Sequence, residues 1–511
     1  MSTLAPRRAA RSSTPASSGS AVPAIRLAAI LLAATCGPAI GTGEPASVDY
    51  GLVRELMSPE RKVRRQAAKV LRAAREPALI PVIVDALFFV PAEARDEAIT
   101  VLEELTGEKR GRRYLDWVEL VGARVDVEPP AGYLQWKRSL LERIDPRFRA
   151  LLPDGAALRI RLEEVVWGGV RLEGIPALEQ PAKVAASAAA FMRPDDRVFG
   201  VSLEGRHHAY PLKVLGWHEM VNDTLAGRPF TLSYCTLCGS GVLYDTRRAE
   251  LDAGPRAELT PEEAEEVTAE ALTFGTSGLL YRANKLMIDR QSGSLWSNLT
   301  GEAVVGPAAA VGARLEMLPV TITTWRRWVE SHPETTVAEP DPELGKRFGY
   351  EYVEGAADRR REGVSFPVWQ KSGRFDDKTE VFALRLGDRA KAYELEALAA
   401  ARLVNDSLGG VPLVVLVGPD GGARAYRRGA HTFEPGETAA LVDEEGRLWR
   451  IAEGELEPPA GTGLEPLERL PAHVAFWFGW FGFYPDTEVF PPAEPADAGS
   501  SSGAGGRAEG A

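Results

Sequence analysis

The chain has little cysteine: Cys36, Cys235 and Cys238 are the only three in 511 residues. That excludes a small disulfide-built scaffold. It has no excess of base either, since 60 Lys+Arg against 72 Asp+Glu leaves a formal charge of −12. No electrostatic footprint for nucleic acid exists at the whole-chain level, and no nucleic-acid partner is expected. Glycine-rich phosphate loops and dinucleotide fingerprints are missing as well. What is present is apolar material for more than one core, 45% of the residues. At roughly 150 residues per domain, the length gives a prior of about three domains.

The two ends read differently from the middle. Arg7, Arg8 and Arg11 lie in a Ser/Ala/Pro-rich stretch without acids, followed by a mostly apolar run from Leu27 to Ile40 broken by Gly37-Pro38. A spanning helix needs about 20 apolar residues, so residues 1–41 are expected to be a signal peptide or an N-terminal anchor. Cys36 either leaves with that segment or is lipidated. Both alternatives place the body outside the cytoplasm, in the periplasm or cell envelope or secreted, with membrane contact only through this segment. Residues 491–511 hold Pro, Ala, Gly, Ser and a few charges, which is the composition of a disordered tail.

Residues 46–122 read helical. Leu52, Leu56, Val63, Ala67 and Leu71 recur three or four apart, with Arg61, Lys62, Arg64, Arg65 and Lys69 between them. The short helices resemble HEAT-like repeats, in which helix pairs of about 40 residues stack. Such a module is either a docking surface for a protein partner or a helical cap on the main domain. The basic cluster is expected to be a solvated helix face, and residues 123–159 a linker.

The most informative feature is an internal repeat. Residues 198–229 align without a gap to 381–412, with 14 of 32 columns identical. Both read strand, turn, strand, short helix, Asn-Asp, Gly turn and strand. Weaker likeness continues in 286–296 against 440–449. The expected architecture is therefore α+β: two tandem β-rich copies with short helices, 160–340 and 345–490, after the helical module. Residues kept in both copies serve the fold: Tyr210/Tyr393, Asn222-Asp223/Asn405-Asp406, Asp289/Asp443 and Trp296/Trp449. Each Asn-Asp pair is expected to cap the helix and open the turn. Residues capable of metal or redox chemistry sit in the first copy. His218, Glu219, Cys235, Cys238 and Arg290 face Ala401, Arg402, Gly418, Gly421 and Glu444. The first copy is expected to be chemically competent and the second a degenerate structural partner.

The segments 174–178, 209–245, 277–306 and 323–337, with their Asn-Asp and Cys-x-x-Cys-Gly order, resemble the DUF3179 family. The resemblance implies an exported bacterial or archaeal protein and brings no established activity with it. The family pattern has no fixed histidine at His207-His208, which lowers their standing as ligands.

Cys235-Thr236-Leu237-Cys238-Gly239 lies between two expected strands, as a metal knuckle does. A redox pair of the thioredoxin kind instead sits at a helix N-terminus. With no further cysteine, His218 is the leading third ligand, giving a Cys2His set for zinc or copper. Glu219 and Arg290 are the candidate catalytic residues. Three readings stay open: a metal site on Cys235, Cys238 and His218; an extracytoplasmic binding module with a local disulfide; and a thiol–disulfide oxidoreductase. His332, His431 and His473 are expected to be structural, and Ser240 lacks a nucleophile-elbow context. The aromatic run 476–484 is expected to form a packed helix, and the acidic stretch 258–270 a solvated helix inside a hairpin loop.

Overall fold

A computed structural model describes residues 49–251, 271–348, 363–437 and 439–492. The expected signal segment with Cys36, the acidic stretch 258–270 and nearly all of the expected tail lie outside the described residues. Contacts join the chain from Ser47 onward into one compact unit.

Six helices come first: Tyr50–Glu55, Arg61–Ala74, Leu79–Phe88, Asp96–Thr106, Tyr114–Ala123 and Tyr133–Leu141. In Arg61–Ala74 the 3.6-residue period buries Ala67, Ala68 and Leu71, while Arg61, Lys62, Arg65 and Lys69 stay exposed. The sixth helix lies within residues 123–159, the expected linker. Its Trp136 and Leu140 are buried, and Lys137 forms a buried 2.6 Å ion pair with Asp85, which also accepts from the Tyr133 hydroxyl at 2.7 Å. Six short helices do not close a core by themselves. Theirs runs on through Val165, Leu279, Leu286 and Val305, strand residues of one sheet.

The rest is mixed α+β, with three five-stranded sheets before residue 340 among the described residues. One has Ser240–Leu251 and Arg228–Cys235 at its centre, and a second has the hairpin Arg197–Leu203/Arg206–Pro211. A third pairs Phe274–Tyr281 with Asn284–Asp289. The strands on either side of residues 252–270, Ser240–Leu251 and Phe274–Tyr281, belong to different sheets.

After residue 363 the same local pieces recur. Phe199 pairs Tyr210 as Phe382 pairs Tyr393. The Tyr210 hydroxyl donates to Asp223 at 2.6 Å, and that of Tyr393 to Asp406 at 2.7 Å. Trp296 donates to Asp289 at 2.7 Å, and Trp449 to Asp443 at 2.8 Å. These bonds give the retained residues a physical reason to be retained. They also correct the role expected for Asn-Asp. Asn222 and Asp223 lie within the strand Met220–Leu225, not at a cap. The Asn222 amide exchanges two hydrogen bonds with the Phe274 backbone, at 2.8 and 3.0 Å, tying two sheets together, and Asn405 does the same with Phe433. The aromatic run yields the helix Trp477–Phe481, with Trp477 and Trp480 fully buried.

Candidate functional site

The strand Arg228–Cys235 ends on the first cysteine, and Ser240–Leu251 begins two residues after the second. Thr236 to Gly239 make the turn between them. Gly239 has φ +62°, and a Cβ there would sit 2.9 Å from the Phe476 ring. Only glycine satisfies both the left-handed backbone and the close approach. Both cysteines are buried free thiols.

Cys238 is held from all sides. The Asn284 amide donates to its sulfur at 2.9 Å, and the Ser240 hydroxyl lies 3.2 Å away. Asn298 donates to Ser240 at 3.1 Å, which makes the group one buried polar network. The second half supplies the far wall. The Phe476 N–H donates to the Cys238 carbonyl at 2.8 Å, the Lys378 ammonium to that of Leu237 at 2.9 Å, and Gly479 lies directly against the Cys238 side chain.

Cys235 is different, because it lines a cavity of about 210 Å³. Glu219, Thr236 and Lys285 share that lining, and Thr236 donates to the Glu219 carboxylate at 3.0 Å. The buried Lys285 ammonium donates to the Glu219 carbonyl at 2.5 Å and lies 3.8 Å from its carboxylate. Burial lowers the Lys285 pKa, while Glu219 and both sulfurs work to raise it.

Burial disfavours a thiolate at Cys235, and the Glu219 carboxylate adds to that. Hydrogen bonds from the Cys238 thiol and from the backbone N–H groups of Cys238 and Lys285 outweigh both, so its pKa falls below the ordinary thiol value. At Cys238, burial and the neighbouring Cys235 push the pKa well up. The two sulfurs also differ in place: Cys235 lines the cavity, and Cys238 lies behind it against Asn284 and Ser240.

The Cys2His set is not brought together. Among the described residues, the one group of three His, Cys, Asp or Glu side chains able to share an ion is His431, Glu444 and Glu445, in the second half. The reason lies at the end of the helix Leu212–His218. His218 turns its Nδ1 to the Pro176 carbonyl at 2.9 Å. Glu219 then takes a left-handed φ of +57°, which sends the next side chain toward the cysteine turn. Four-coordinate zinc needs more donors than the two sulfurs supply.

Arg290 does not line the cavity. It binds Glu173 at 3.0 Å and Glu179 at 2.6 Å, tying a loop to an edge strand. The other histidines of the two halves pack elsewhere. His208 is buried against Thr336, His473 is buried, and His207 stacks on His332 with ring centres 4.0 Å apart.

Sequence reasoning missed Lys285, Asn284 and the second-half wall. One signal for Lys285 was within reach. Extending the alignment of 286–296 with 440–449 by one position pairs it with Ala439, another chemical group present in one half only.

Fold and site together define an α+β protein with a buried dithiol turn in its first half and a second half that closes over it. The profile of the DUF3179 family, proteins of unknown function, matches residues 172–487, across both halves. The chain belongs to that family. No curated protein and no solved structure matches it.

Proposed function

We propose that Cys235 and Cys238 form a thiol redox centre, Cys235 the attacking thiolate and Cys238 the resolving thiol. The observation that carries this reading is the placement of two adjacent buried free cysteines, of which only Cys235 lines the cavity. In the reaction the two sulfurs join, two electrons and the Cys238 proton pass to an oxidised substrate, and the substrate takes its second proton from a neighbouring acid or water. An external dithiol reverses the step. The two side chains of the pair share a hydrogen bond, so the sulfurs are already neighbours. Residues 1–41, read as an export segment, would deliver it to a compartment where dithiols oxidise.

The experiment is equilibration of the full chain in dithiothreitol redox buffers, with thiols counted by alkylation and mass, beside elemental analysis. The expected result is a reversible two-electron transition in the parent that is lost in Cys235→Ser and in Cys238→Ser. A pair that stays reduced at every poise would overturn the reading. So would one zinc or copper ion per chain, lost in both variants.

A further inference from the structure

The cavity that Cys235 lines narrows the choice of substrate. Cys238 has no approach: Asn284 and Ser240 lie on one side, and Phe476 and Gly479 on the other. Cys235 itself is 1% exposed. A disulfide carried on a folded protein would have to enter the chain to reach it. The space in front of Cys235 is about 210 Å³, and an apolar cavity of about 150 Å³ already holds benzene. One substituted six-membered ring fits.

The walls are mostly apolar, with Val170, Ile175, Leu279, Leu286 and Phe366 among them. They offer little to a charged peptide disulfide, whose desolvation they would not offset. At the sulfur end the polar groups converge: Lys285, Thr236 and Glu219. The Lys285 ammonium has three donors and gives one to the Glu219 carbonyl. It is placed to donate to an acceptor oxygen beside Cys235. This is the usual plan of a small-molecule site, apolar walls with a few aimed polar groups.

Resting on the thiol-redox reading, we infer that the oxidant of the pair is a small neutral quinone-type molecule, bound in this cavity with a carbonyl oxygen toward Lys285. The step balances. Cys235 starts as thiolate, Cys238 as thiol and Lys285 as ammonium. The S–S bond forms as two electrons pass to the ring. One proton comes from Cys238 and one from Lys285, giving the hydroquinone, and the Lys285 amine takes a proton back from water.

The test uses the reduced full chain under anaerobic conditions with duroquinone, whose ring positions are blocked against thiol addition. Hydroquinone is followed by absorbance and thiols by alkylation. One hydroquinone per chain and loss of both thiols are expected, with glutathione disulfide slower by at least about tenfold. Ser365→Trp, at the exposed rim of the lining, should slow duroquinone by about tenfold or more. It should leave the dithiothreitol equilibrium where it was. Glutathione disulfide reacting as fast as duroquinone, an unchanged Ser365→Trp rate, or a pair that duroquinone leaves reduced overturns the inference. In each case a normal dithiothreitol transition keeps the redox reading standing, whereas a pair inert to every oxidant removes both.

Discussion

Substituting Gly479→Ala puts a methyl group where the wall meets the thiol turn. The new Cβ would lie 2.6 Å from the Cys238 Cβ and 3.5 Å from its carbonyl oxygen. Carbon atoms prefer about 3.5–4.0 Å, so the helix or the turn must retreat by roughly 1 Å. Neither has room. Trp477 and Trp480 are fully buried on that helix, and the Phe476 N–H is bonded to the Cys238 carbonyl at 2.8 Å. Overpacking of this kind costs about 1–3 kcal/mol. Alanine regains up to about 1 kcal/mol of helix propensity over glycine. The net expectation is a loss of about 1–2 kcal/mol, read as a lower urea midpoint at unchanged slope. Alkylation of Cys238 should also quicken as the wall lifts. Cys238→Gly removes the clashing carbon, so the double variant should recover most of the loss relative to Cys238→Gly alone. A Gly479→Ala protein as stable as the parent, or a double-mutant cycle with no coupling, would refute the contact.

Three further outcomes are expected. Glu219→Gln removes a negative charge that raises the Cys235 pKa, so the pKa read from alkylation rate against pH should fall. A rise would count against the assigned geometry. Lys137→Met leaves the buried Asp85 carboxylate without its cation and should cost about 3–5 kcal/mol in urea unfolding; a loss under about 1 kcal/mol would place that pair in water. His473 is buried, and burial lowers its pKa from 6.5 to about 4. Its neutral form is favoured in the fold, so stability is full above 6.5 and falls as pH drops toward 4. That is about 1.4 kcal/mol per pH unit in the window, and His473→Phe should flatten this limb.

Much of the architecture was legible because it rests on local pattern. The repeat exposed Tyr210, Asp223, Asp289 and Trp296 as fold residues, and each makes the same bond as its counterpart. The cysteine turn was readable from the strand–Gly–strand order. His218 and Glu219 were harder, since a single backbone angle decides which of two adjacent side chains faces the cysteines, and no periodicity records it. Lys285 was invisible as a type: a lysine on a strand reads as solvent-facing until its burial is seen. The wall was hidden by distance along the chain, because nothing in residues 235–239 announces Phe476 or Gly479.

That distance sets an order of events during synthesis. Cys238 emerges from the ribosome 241 residues ahead of Gly479, which at about 5–20 residues per second is an interval of roughly 10–50 s. Throughout it the turn has no covering half, and its thiols meet whatever oxidant or stray cysteine is nearby. A segment made long after the turn is therefore the one that ends the vulnerable period. A chain truncated before residue 470 would carry the same two cysteines as a permanent liability for mispairing.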